Sequence, residues 1–170
     1  MKLVEALSKL SNIEKQIKYN NKLINKYSAS ISTERPIFDS EKDQKDEILA
    51  LINENKQLYN QYLDLKDRVN LTNSTVFITI KNETRTINQF LFIVRNIGQL
   101  LLNTYESLND ENIEKKLSMY RGEGAHIIRY YDEKFKNNSI KELKDLMNSI
   151  HSSISLANNT IDVIDKYDTK

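Results

Sequence analysis

Thr75-Val76-Phe77-Ile78-Thr79-Ile80-Lys81-Asn82-Glu83-Thr84-Arg85-Thr86 is the stretch on which the fold turns. Its first half is β-branched and aromatic, Lys81-Asn82-Glu83 suits a turn, and Thr84-Arg85-Thr86 suits a short return. Together they predict a β-hairpin. The residues on both sides keep a different period. Upstream, Leu51, Leu58 and Leu65 recur every seven residues with Ile48, Tyr62 and Val69 beside them, which predicts a helix over 40–70. Further upstream, Leu3, Leu10, Ile17 and Ile24 form a second such series, flanked by Leu7, Ile13 and Tyr27, and predict a helix over 2–27. Ser28 to Asp39 interrupts the two, with Pro36 disfavouring helix before it and Asp39 or Ser40 able to cap the second helix. Two heptad helices joined by so short a break predict an antiparallel hairpin.

Downstream, Thr86-Ile87-Asn88-Gln89 fits a capping box and opens a helix over 87–108. Phe90, Leu91, Phe92, Ile93, Val94, Ile97, Leu100, Leu101, Leu102, Tyr105 and Leu108 cover most of its circumference. Such a helix is expected to be buried on most sides, as a central element or at a subunit interface. Asn109 to Met119 shows no clear period, and Tyr120-Arg121-Gly122-Glu123-Gly124 reads as a turn. Ala125 to Tyr131 predicts a strand able to pair with the hairpin, with His126, Ile128 and Tyr130 on one face and Ile127, Arg129 and Tyr131 on the other. Ser139-Ile140-Lys141-Glu142 is another capping-box pattern. It opens a last helix over 140–164 with the seam Ile140, Leu143, Met147, Ile150, Ile154, Ala157, Ile161 and Ile164. The expected fold is mainly α: one domain over 1–170, a long-helix antiparallel bundle or coiled coil with a small β-hairpin element at 75–86 and 125–131.

Composition narrows the function. The 25 basic and 24 acidic residues leave a formal charge of +1, which argues against a dedicated nucleic-acid binder. No cysteine is present, and the two histidines, His126 and His151, are well separated, so neither a thiolate nucleophile nor a metal site is expected. Three glycines and one proline disfavour phosphate-cradling loops and turn-dense β folds. Lys, Asn and Ile number 19, 20 and 20, which suits an A/T-rich genome such as that of a low-GC bacterium or its phage. The charged start from Met1 to Leu10 is no signal peptide, and the apolar run Phe90 to Val94 is far short of the ~20 residues that span a bilayer. A cytosolic protein without a cofactor or membrane span is expected.

Four stretches resemble the septicolysin-like proteins, small bacterial and phage proteins. They are Met1-Lys2-Leu3-Val4-Glu5-Ala6-Leu7, Val69-Asn70-Leu71-Thr72-Asn73, Thr84-Arg85-Thr86-Ile87 and Leu156-Ala157-Asn158-Asn159-Thr160-Ile161-Asp162. The chain departs from that pattern at Asn82-Glu83, where the family turn has glycine, and at Ile93-Val94-Arg95, which replaces an Arg-Arg-Asp cluster. Asn159 replaces a terminal Trp. The resemblance implies a helical, oligomeric protein with a β-hairpin. The family's toxin-derived name implies membrane damage, but the sequence has no basic amphipathic helix or long apolar hairpin for it.

No catalytic motif is present. Asp43, Asp46 and Glu47, like Glu111 and Glu114, sit among lysines at helix-surface spacing and read as solvated faces. Gly122-x-Gly124 lacks the third glycine of a dinucleotide fingerprint. Tyr19, Tyr27, Tyr59, Tyr62 and Tyr105 read as core edges, and His151 as structural. One cluster stands apart. Of six arginines, Arg85, Arg121 and Arg129 fall on or beside the expected strands, near Tyr120, His126, Tyr130 and Tyr131. Guanidinium forks suit phosphate and tyrosine faces suit bases, so Arg85, Tyr120, Arg121, His126, Arg129 and Tyr130 form the candidate ligand site. The competing reading pairs these arginines with Glu83, Glu123 and Asp132. Three function classes fit the sequence: a non-enzymatic homo-oligomer that sequesters an anionic nucleotide-like molecule, in a phage a sponge for an immune signal; a structural or protein-interaction coiled-coil module; and a membrane-active protein. A hydrolase ranks last.

Overall fold

The computed structural model describes residues 1–119 and 124–165. The protein is mainly α with one small β-hairpin. The order is α1 (Leu3–Tyr27), α2 (Glu41–Thr75), β1 (Phe77–Ile80), β2 (Glu83–Thr86), α3 (Ile87–Phe92), a π-helical turn (Ile93–Ile97), α4 (Gly98–Glu106), α5 (Glu111–Met119) and α6 (Glu133–Thr160). The chain gathers into two compact units: Met1–Asn73 with the chain from Ala157 onward, and Ser74–Leu156.

In the first unit, α1 and α2 run antiparallel, as the heptads predict. The Tyr62 hydroxyl donates to Glu14, Asn20 faces Asn55, and the Gln44 side chain donates to the Tyr27 carbonyl. Leu3, Ala6 and Leu10 of α1 and Leu51, Leu65 and Val69 of α2 are buried, while Ile17, Ile24 and Leu58 are half-buried. Ser40 caps α2 by accepting from the Asp43 N–H at 3.1 Å. Asn20 is buried at 1% exposure within the seam. Its Nδ2 donates to Asn55 Oδ1 at 3.0 Å and its Oδ1 accepts from Gln16 Nε2 at 3.1 Å. A buried amide pair of this kind fixes helix register, because a shifted alignment would strand both groups. Residues 161–164 beyond α6 are extended along the start of α1. Leu3 N–H donates to the Ile161 carbonyl, Val163 N–H to the Met1 carbonyl, and Ile164 N–H to the fully buried Thr72 hydroxyl. Lys2 Nζ closes the join on Asp162 at 2.6 Å.

In the second unit, β1 and β2 pair antiparallel from Phe77 opposite Thr86 to Ile80 opposite Glu83. The two-residue loop Lys81-Asn82 has positive φ at both residues, 47° and 70°, the geometry that matches the twist of paired strands. Thr86 forms the expected capping box: its Oγ1 accepts from Gln89 N–H at 3.2 Å and its N–H donates to Gln89 Oε1 at 3.0 Å. Ile80, Phe90, Ile150 and Ile154 form the core, with Ile78, Leu91, Ile93, Val94 and Leu146 against it. Gly98 is buried where a Cβ would collide with Met147 Sδ of α6.

Several expectations are corrected. The strand at Ala125–Tyr131 does not form, and among the described residues the sheet has two strands. Ile128 and Tyr130 stay exposed at 64% and 94%, so one face of that segment gains nothing from burial, while Arg129 and Tyr131 on the other turn to Asp110. The last helix starts at Glu133 and not at Ser139, because Asp132 caps it by accepting from Lys134 N–H at 2.8 Å. It ends at Thr160, where the extended join begins. The polar run Asn70 to Ser74 continues α2, and Glu111–Met119 is helical. The helix expected to be buried on most sides is not: Phe92 and Leu100 are 57% and 62% exposed, since α6 and the hairpin cover one side of it.

Candidate functional site

β2 delivers Arg85 to the rim of a hollow beside α3, and the capping box at Thr86 sets the phase of the helix that forms its wall. Steps of three and four residues from Asn88 bring Phe92, Arg95 and Asn96 to the same side as Arg85. The π turn carries Arg95 and Asn96, its close marked by Gly98 N–H donating to the Ile93 carbonyl five residues back. Such turns insert one extra residue and redirect the side chains they hold. The hollow measures about 380 Å³, at the small end of the ~300–1,000 Å³ of small-molecule sites.

Its chemistry is that of donors. Arg85 Nε lies 2.8 Å from Glu83 Oε2, so that guanidinium is neutralised locally. Arg95 has no ion-pair partner among the described residues. Gln89 uses its Oε1 in the capping box and keeps its amide NH₂, and Asn96 Nδ2 donates to the Phe92 carbonyl at 3.3 Å. Phe92 presents an exposed ring. The lining carries guanidinium and amide groups and an aromatic face, with Leu91 and Ile93 as its apolar part, and no carboxylate, imidazole or hydroxyl.

The other expected residues lie apart from this hollow. Arg129 Nε contacts Asp110 Oδ2 at 2.5 Å and Glu133 at 3.9 Å, and the Tyr131 hydroxyl donates to Asp110 Oδ1 at 2.9 Å. Desolvation pushes the Asp110 carboxyl up, but the Tyr131 hydroxyl and the Arg129 guanidinium outweigh it and hold the group below the usual carboxylate range. Arg129 is thus engaged in an ion pair, with Asp110 and not the Asp132 of the competing reading. His126 lines a separate hollow of about 400 Å³ with Ile113, Lys116 and Leu117, its Nδ1 3.3 Å from the Gly124 carbonyl. Tyr130 is almost wholly exposed. Tyr120 and Arg121 lie outside the described residues. Sequence reasoning missed Arg95 and Phe92. The signal was available: Arg95 is the only charge between Ile87 and Tyr105, and a lone charge in an apolar helix marks a side that faces something other than core.

No protein-family model, curated protein or solved structure matches the chain. Among the described residues no helix is long and apolar enough to cross a membrane, and no group of acidic or histidine side chains could hold a metal ion.

Proposed function

We propose that this chain is a non-enzymatic binding protein that forms a homo-oligomer and retains an anionic, nucleotide-like small molecule in the hollow beside α3. One observation carries the reading: Arg85, Arg95 and the exposed Phe92 ring surround a single concave site whose lining has no acid–base group. Guanidinium forks hold phosphate oxygens and an aromatic face stacks a base, the two needs of a nucleotide-type ligand. Arg129, His126 and Tyr130 are not needed for it. Calorimetry with a nucleotide panel tests the reading. Binding is expected, weakened about ten- to a hundredfold by Arg95→Ala at an unchanged melting temperature of the empty protein. Absence of binding across the panel refutes it.

A second reading, a helical protein-interaction module, draws on the exposed apolar residues Leu49, Tyr59 and Leu63 of α2 and Leu100 and Leu101 of α4. Pull-down of a helical partner through α2, lost on Leu49→Lys or Leu63→Lys, would favour it over the first. Light scattering at micromolar concentration tests the oligomer, and a monomer alone would overturn that part of the proposal.

A further inference from the structure

We infer that the hollow beside α3 selects a singly charged phosphodiester, of the cyclic-nucleotide kind, over phosphomonoesters and polyphosphates; the inference rests on the binding reading above and deepens it. Charge balance at the site sets the preference. Two guanidinium groups line the hollow, but Arg85 Nε is held 2.8 Å from the Glu83 carboxylate, which offsets its formal charge. Arg95 supplies the remaining positive charge and meets no carboxylate among the described residues. A ligand therefore meets a net charge of one. The other polar groups, on Asn88, Gln89 and Asn96, are neutral amides that donate to ester and base-edge atoms without answering a second negative charge.

A phosphodiester carries one negative charge at neutral pH, whereas a phosphomonoester carries about 1.5 to 2, because its second proton leaves near pH 6. The surplus on a monoester, and the larger surplus on a triphosphate, would lie close to Glu83 with nothing to balance it. Size acts in the same direction. About 380 Å³ is at the small end of small-molecule sites and suits one ring system with a single phosphate better than an extended polyphosphate.

The test uses the full chain and four probes: adenosine, its cyclic 3′,5′-monophosphate, its 5′-monophosphate and ATP, with the guanosine series in parallel. Isothermal calorimetry is expected to rank the cyclic diester at least tenfold above the monophosphate and ATP, and this ranking needs no variant. Glu83→Gln, which leaves Arg85 unneutralised, is expected to tighten the 5′-monophosphate about tenfold while the cyclic diester changes less. Glu83 is an exposed side chain, and a far-ultraviolet melt confirms that the variant keeps its fold. A monophosphate or ATP that binds as tightly as the cyclic diester overturns the charge selection while leaving the binding reading intact. So does a Glu83→Gln protein with the parent's ranking. A panel in which no nucleotide binds overturns both.

Discussion

Asn20 offers the sharpest test of how α1 and α2 hold their register. The perturbation is Asn20→Ala. The parent side chain is 1% exposed, donates to Asn55 Oδ1 at 3.0 Å and accepts from Gln16 Nε2 at 3.1 Å. Truncation removes both bonds, but the groups left behind are only half-buried or exposed, and Asn55 keeps its bond to Asn21 at 3.0 Å. Two net hydrogen bonds at about 1 kcal/mol each give a loss of about 2 kcal/mol. For a chain of this size that lowers the melting temperature by about 4–8 °C. Asn20→Leu separates stability from register. An apolar side chain in a heptad seam costs no desolvated amide, so this variant is expected to melt above Asn20→Ala while populating more than one helix alignment. Circular dichroism melts report the first effect, and trapping by a bis-maleimide cross-linker between cysteines placed at Glu14 and Tyr62, whose side chains meet across the pair, reports the second. An Asn20→Ala protein that melts within about 1 °C of the parent would refute the reasoning, as would an Asn20→Leu protein trapped in one register as efficiently as the parent.

Asp162 accepts from Lys2 Nζ, which with the Met1 ammonium holds its carboxyl below the usual range. A carboxyl lowered on folding adds stability above its unfolded pKa of about 3.9, and that stability disappears as pH falls through the folded value. Asp162→Asn is therefore expected to melt below the parent at neutral pH, with the gap closing in acid; a gap independent of pH would count against the pairing. Gly98→Ala is expected to lose about 1–2 kcal/mol, since overpacking against Met147 costs more than the roughly 1 kcal/mol of helix propensity gained. On a Met147→Ala background the same change is expected to be neutral or stabilising, which a urea double-mutant cycle measures. Lys81, at φ 47°, sits where asparagine is tolerated better, so Lys81→Asn is expected to gain about 0.5–1 kcal/mol in urea titration.

The long helices and the hairpin were legible because burial on one face imposes a period that survives in the residues. Leu3, Leu10, Leu51 and Leu65 are buried at the positions their heptads mark, and the Thr86 box forms as its pattern requires. Local pattern misled where two local devices competed. Asp132 and the Ser139 pattern could each start a helix, and the earlier cap wins because nothing between them breaks helix. Ala125 to Tyr131 has strand-like residues, but strand propensity needs a partner edge, and Arg129 and Tyr131 are drawn to Asp110 instead. The candidate site was legible only at Arg85. Its companion Phe92 comes from α3, and Arg95 sits in the π turn, of which hydrophobic spacing, which assumes a uniform helix, carries no mark.

That π turn is also a reserve of chain length. A π turn holds one residue more than the α turn it replaces, so a one-residue deletion between Ile93 and Ile97 can be absorbed by rewinding to ordinary α-helix. Phe90 on one side and Gly98 on the other would then keep their phase against α6. The same deletion placed in α4 would rotate everything after it by about 100° and pull it out of its packing. The π turn is therefore where this helix can lose a residue while the segments on either side keep their phase, at the cost of local repacking of Ile93 and Val94.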